Sequence, residues 1–235
     1  MKKILAILMT ICLLAGALSI TAFAAEAPAE GVVLSVSAQK RDGTIVPIEN
    51  GNFKNFEEGW EAAVDYAEDK DTMKNNGYDR IVVDFYTDWT ANEDGEFGES
   101  WKFASDWGDG FQYSTIFVPG DTRMMINMNG HTINRGLKQY ELDGEVICIG
   151  DGADLIINGG KNGDSIARPD MDTGAVFGTI TGGYSSNGAG GIHITDDATV
   201  SLNNVHVDGN VVEDDEGAAI AVYDGATLIM NGGST

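Results

Sequence analysis

Residues 189–202 read AGGIHITDDATVSL and residues 217–230 read GAAIAVYDGATLIM, the same unit at an offset of 28. A further copy, GEVICIGDGADLII at 144–157, lies 45 residues upstream of the first. Each copy alternates apolar and polar positions. Ile192 and Ile194 share one face, Asp196-Asp197 makes a turn, and Ala198, Val200 and Leu202 share a face again. The matching sets are Ile220, Val222, Asp224-Gly225, Ala226, Leu228, Met230 and Ile147, Ile149, Asp151-Gly152, Ala153, Leu155, Ile157. Period-two alternation bounded by Asp/Gly and Asn/Gly pairs predicts short half-buried strands. A third strand, Val205-His206-Val207, follows Asn203-Asn204, and a loop from Asp208 to Glu216 closes the unit. Such a unit buries its apolar face only by stacking on its neighbours, which fixed-period self-similarity brings about. A hairpin sandwich would not repeat one inward set at a fixed offset.

Three strands and three bends in about 28 residues make one coil of a parallel β-helix. The 45-residue spacing is too long for one coil, and Gly174 to Thr181 reads as a degenerate intermediate coil. Asn129, Asn158, Asn203 and Asn231 recur after the second strand at spacings of 29, 45 and 28. Stacked amides hydrogen-bonding up the molecule would explain them. So would the preference of Asn for turns with positive φ. The pattern GGI-x-I-xDDATVSLNNVHVDGN resembles the degenerate repeat of right-handed parallel β-helix proteins, the pectin-lyase-like superfamily. It is similar above all to large, repetitive secreted or surface proteins of bacteria. The segment INMNGHTINR, Ile126 to Arg135, is similar to a first-coil motif of such proteins. The resemblance covers about residues 114–235. It implies a fold and leaves function open, because that fold hosts lyases, hydrolases, adhesins and passive stalks.

Met1 to Ala24 reads as a secretion signal: Lys2-Lys3, an apolar run from Ile4 to about Ile20, and the small-x-small site Ala22-Phe23-Ala24. Ala25 to Glu30 is a spacer and Gly31 to Ser37 alternates as a strand. Asn55 to about Asp69 reads as a helix, with Asn55 as N-cap and Phe56, Trp60, Ala63, Val64 and Ala67 on one face. Arg80 to Tyr86 is the next strand. This order predicts a small α/β cap over the N-terminal end of the coils, where core and strand edges would otherwise be open. Residues 25–113 are thus expected to be the cap and an aromatic-rich connection, and residues 114–235 the coils. The coils begin with Ser114 to Val118 and Met124 to Met128, with Pro119-Gly120 between them. The sequence stops in mid-coil after Asn231, so we expect more coils beyond Thr235.

Cleavage after Ala24 leaves 211 residues with 12 basic and 37 acidic side chains. That balance argues against nucleic acid and against anionic membranes, both of which need basic patches. It fits an exported, extracellular protein. Cys148 is the only cysteine left after cleavage, so no internal disulfide is expected. It aligns with His193 and Ala221, and no activating base is nearby in sequence.

Flat rings stack on sugar faces. The connection Trp89 to Tyr113 is therefore the candidate ligand-binding segment, with Trp89, Trp101, Trp107 and Tyr113 as its residues. The same rings would serve to pack the cap on the first coil. The resemblance implies what a catalytic member needs: acidic Ca²⁺ ligands and an Arg or Lys base. From Asp170 onward there are ten acidic residues and no Lys or Arg. Lys161 and Arg168, in one loop with Asp164 and Asp170, are the best lyase-like cluster. A hydrolase would need two carboxylates across a cleft, but Asp196-Asp197 matches Asp151 and Asp224, which points to turn structure. Glu213, Asp214, Asp215 and Glu216 form the densest acidic run, a candidate Ca²⁺ site or a solvated loop. Otherwise no cofactor is expected. His193 and His206 should point outward.

These observations predict an all-β fold, a right-handed parallel β-helix with a small α/β N-terminal cap. The leading functional expectation is a secreted or cell-surface, non-catalytic protein for adhesion, glycan binding or display. Its partners would be glycans or cell-surface ligands. The alternative is a carbohydrate-active enzyme whose site lies mostly beyond residue 235 or uses the Lys161 loop. A third reading is a purely structural stalk.

Overall fold

The computed structural model describes residues 29–91, 97, 103–104, 112–113, 115–141, 144–161, 176–186, 188–213 and 219–234. The expected secretion signal, Met1 to Ala24, lies outside them. The described chain is mostly β-sheet, parallel and mixed, with two helices.

It opens with an antiparallel hairpin, β1 (Leu34–Lys40) and β2 (Ile45–Phe53). Helix α1 (Phe56–Glu68) follows. The Asn55 side-chain oxygen accepts a bond from the Glu58 N–H at 3.0 Å, satisfying one of the otherwise unpaired donors of the first turn. Trp60, Ala63, Val64 and Ala67 are buried along one face, as the periodicity predicts. A second helix, α2 (Lys70–Asn76), is capped by Asp69, whose carboxylate accepts from Thr72, and stops at Gly77, which takes the left-handed conformation at φ 68°. Burial does not reach Asp69, and these bonds hold its carboxyl below the usual carboxylate range. Strand β3 (Tyr78–Phe85) comes next. It pairs antiparallel with β1 on one side and parallel with β8 (Arg123–Asn127) on the other. It is the seam between the hairpin and everything after it.

The two-residue strands β4 (Trp89–Thr90), β5 (Phe103–Ala104) and β6 (Gln112–Tyr113) lead into the repeats, which begin with β7 (Ile116–Val118), β8 and β9 (Thr132–Asn134). The next set is β10 (Ile147–Ile149), β11 (Asp154–Asn158), β12 (Gly178–Thr181) and β13 (Tyr184–Ser185). Then come β14 (Ile192–Ile194), β15 (Thr199–Val207) and β16 (Val211–Val212), and last β17 (Ile220–Val222) and β18 (Thr227–Ser234).

Equivalent strands pair in parallel and in register. One sheet orders β7, β10, β14 and β17, with Ile116, Ile147, Ile192 and Ile220 in line. In the ten-stranded sheet, Ile81, Met124, Leu155, Val200 and Leu228 are in line, as are Val83, Ile126, Ile157, Leu202 and Met230. From Ile81 to Val200 and from Val83 to Leu202 every one of these side chains is 0% exposed. A fully buried aliphatic chain contributes about 1.5–3 kcal/mol, so repetition itself assembles the core. Strand β15 bends at Asn204, φ 55°, and its second half pairs with β12 rather than β11.

One expectation is overturned. Ile147 pairs directly with Ile192, and Asn158 directly with Asn203, so no coil lies between the copies that are 45 residues apart. Thr179 and Ile180 of β12 belong to the same turn of chain as β10 and β11, pairing with β9 below and β15 above. The extra length lies in the segment between β11 and β12, of which residues 162–175 lie outside the described residues. Sequence spacing alone counts residues and cannot tell a stacked coil from a loop that leaves and returns.

Candidate functional site

One polar column runs through every strand of the face that carries β3, β8, β11, β15 and β18. The register puts Asp84, Asn127, Asn158, Asn203 and Asn231 in line. Each amide Nδ2 donates to the residue before it in the column: Asn231 to Asn203 at 2.9 Å, Asn203 to Asn158 at 2.8 Å, Asn158 to Asn127 at 2.9 Å, and Asn127 to the Asp84 carboxylate at 2.8 Å. Aligned amides satisfy one another where burial removes water. Burial raises the Asp84 carboxyl above its usual range, and the Asn127 bond partly offsets this. Asn129 is not in the column. It turns at φ 53° and donates to the Phe85 carbonyl at 3.0 Å. Both explanations offered for the recurring asparagines thus operate, on different residues.

The first turn of each repeat is fixed by backbone conformation. Asp121, Gly152, Asp197 and Gly225 occupy it at φ 55°, 69°, 58° and 78°. Asp and Gly are the residues that tolerate that region. Asp196-Asp197 therefore has a conformational reason to be where it is.

A cleft of about 510 Å³ opens where the hairpin, α2 and the first of these turns meet. Arg41 enters from the β1–β2 turn, Lys70, Met73 and Lys74 from α2, Tyr78 and Asp79 from β3, and Asp121, Thr122 and Arg123 from the β7–β8 turn. Ala67 of α1 completes the apolar lining with Met73 and Tyr78. Arg123 is engaged: it contacts Asp79 and donates through Nε to Asp154 at 2.9 Å. Arg80, buried beside it, lies 3.5 Å from Asp79 and 3.6 Å from Asp154. Two arginines and two aspartates thus neutralise one another along one wall. Arg41, Lys70 and Lys74 are exposed and enter no ion pair among the described residues. Sequence reading missed this site because its cations come from three separated segments, none of them a motif.

The residues singled out from sequence fall differently. Trp89 is 2% exposed, stacked on Phe56 at 4.9 Å and edge-on to Phe97 at 5.2 Å. It packs against Phe56 and Trp60 of α1 and Phe85 of β3 and offers no open face to a sugar. Tyr113 lies in β6, of which the backbone is described, and Trp101 and Trp107 lie outside the described residues. Lys161 is exposed after β11; Asp164, Arg168 and Asp170 lie outside the described residues. Glu213 is exposed after β16, and Asp214, Asp215 and Glu216 lie outside. None of these clusters therefore falls wholly within the described residues. Among the described residues no group of three or more His, Cys, Asp or Glu side chains converges as a metal site. No helix among them is long and apolar enough to cross a membrane.

Cys148 is buried in line with Phe117, His193 and Ala221. His193 is half-buried and stacks on Tyr223 at 4.5 Å, and His206 meets Phe177 edge-on at 4.4 Å. Burial lowers the pKa of His193 and favours its neutral form. These histidines point outward, as expected, but each has an aromatic neighbour rather than open solvent around it. No family model matches the chain, and no curated protein or solved structure is detectably similar to it.

Proposed function

We propose that the chain is a right-handed parallel β-helix with a small α/β cap at its N-terminal end, exported and displayed at a bacterial cell surface. There it serves adhesion or glycan binding without catalysis. The observation that carries this reading is the unbroken register of parallel pairs from β3 to β18, with the Asp84–Asn231 column along it. A stack of this kind holds side chains on fixed outer columns at strand spacing, which suits presentation of a surface to an extended ligand. The domain plan follows: Met1 to Ala24 as the leader, residues 25–113 as cap and connection, residues 114–235 as coils. The acidic composition, with a net charge of −23, supports an extracellular setting and speaks against nucleic acid as a partner.

The test is to express the full chain with its leader in a bacterial host and follow it by fractionation, N-terminal sequencing and binding to a glycan panel. We expect export, a new N-terminus at Ala25, and saturable glycan retention without product formation. Cytoplasmic retention with an intact leader would overturn the export reading. Depolymerisation of an acidic polysaccharide, lost in Lys161→Ala or Arg168→Ala, would replace the binding reading with the enzymatic one.

A further inference from the structure

We infer that the cleft under α2 binds a sugar carrying a phosphate or sulfate ester. The first reason is the placement of charge. The sequence has 14 Lys and Arg against 37 Asp and Glu, yet four of those cations line this one cleft against two carboxylates. Arg123 and Asp79 are taken up in the network with Arg80 and Asp154. That leaves Arg41, Lys70 and Lys74 with Asp121 as the remaining carboxylate of the lining. Cations gathered in one cleft of an acidic protein raise the local concentration of anions there.

The second reason is shape and lining. A volume of about 510 Å³ falls in the range of small-molecule sites, roughly 300–1,000 Å³. Met73, Tyr78 and Ala67 give the lining an apolar patch of the kind that sugar rings lie on, with the Tyr78 ring half-buried. Asp121, exposed on the β7–β8 turn, supplies a carboxylate suited to sugar hydroxyls, while the buried Thr122 hydroxyl is spent on the Pro119 carbonyl at 2.6 Å and fixes that turn. Two lysines on one helix, Lys70 and Lys74, are four residues apart and so on one face. Lysine is a compact point charge with rotatable donors, fitted to a tetrahedral ester. The ligand therefore has an anionic ester at the α2 end and a hydroxylated ring beyond it.

The inference goes beyond the display reading and does not depend on it, since it concerns the junction of α2 with the β7–β8 turn and is measured on purified full chain. Calorimetric titration with glucose 6-phosphate, glucose 6-sulfate, glucose and inorganic phosphate tests it. We expect one saturable site for at least one of the two esters, with Kd below about 1 mM and weakening as salt is added. The two esters separate the phosphate source from the sulfate source. Lys70→Gln with Lys74→Gln should weaken binding by about tenfold or more, while Lys138→Gln, an exposed lysine elsewhere, should leave it unchanged. Circular dichroism of the double variant checks that it is folded, and Lys70→Arg with Lys74→Arg should restore part of the affinity. Equal binding of glucose would overturn the anionic end, and equal binding of inorganic phosphate would overturn the sugar end. Absence of ester binding by the folded protein, or binding that the double variant leaves intact, would overturn the inference.

Discussion

Asp84 heads a column of amides, and its charge is the least comfortable part of it. Burial holds its carboxyl above the usual range, so the folded protein keeps the Asp84 proton to higher pH than the unfolded chain does. The unfolded state therefore binds fewer protons through that window, and stability falls as pH rises from the ordinary carboxylate value of about 3.9 to the raised one. Above the window the cost is constant. Asp84→Asn removes the charge and keeps an acceptor for Asn127. We expect its urea midpoint to exceed the native one at pH 7, with a difference that shrinks towards pH 4; a variant less stable than the native chain at pH 7 would refute this. In mid-column the sign reverses. Asn158→Ala leaves the Asn203 donor and the Asn127 acceptor without their partner, and a buried polar group so stranded costs about 1–3 kcal/mol. Chemical denaturation should show a loss of that size. Asn158, Asn203 and Asn231 could be read from sequence because they fall at one place in the repeat. The first amide could not be, because Asn127 and Asn129 both fit the spacing and only the register chooses between them.

Helix α1 was legible as an element for a physical reason: thirteen residues are enough turns to display a face. Its role at the end of the stack can be tested by ranking two substitutions. Trp60 is 1% exposed and donates through Nε1 to the Phe117 carbonyl of β7 at 3.2 Å, joining helix to first repeat. Trp60→Ala should cost about 3–5 kcal/mol. Asn55→Ala loses only an N-cap and should cost about 1 kcal/mol. Comparable losses for the two in denaturant melts would mean that the helix is held by its own ends rather than by what it covers. The elements that escaped sequence reading are those without a repeating face. Strand β2 carries Pro47 and Gly51 within its alternation, and α2 has seven residues, too few for a period to declare itself. The cationic cleft is built from these two elements' neighbourhoods and so stayed hidden with them. Trp89 was legible as important, but exposure is a property of the assembled fold. A buried ring and a sugar platform look alike in sequence.

At the scale of the whole molecule the register is the architecture, and it makes a strong claim about the segment between β11 and β12. The flanking strands are fixed by pairs that do not involve it: Asn158 on Asn127 and Asn203, Thr179 on Thr132 and His206. In the preceding repeat, four residues separate Asn127 from Thr132. Deleting residues 162–175 would leave six between Asn158 and Thr179, enough to make the same corner. Loop length enters stability only logarithmically, so the shortened chain should melt cooperatively. Its Tm should lie within about 4 °C of the native value, the shift expected from roughly 1 kcal/mol at this size. If the 45-residue spacing hid a coil of its own, the deletion would remove a layer of core and the cooperative melt would be lost. The same variant lacks Asp164, Arg168 and Asp170. Glycan retention that survives the deletion places binding outside that loop. A depolymerising activity of the native chain that disappears with the loop, while the melt stays intact, would show that this segment carries chemistry and that the stack is its scaffold.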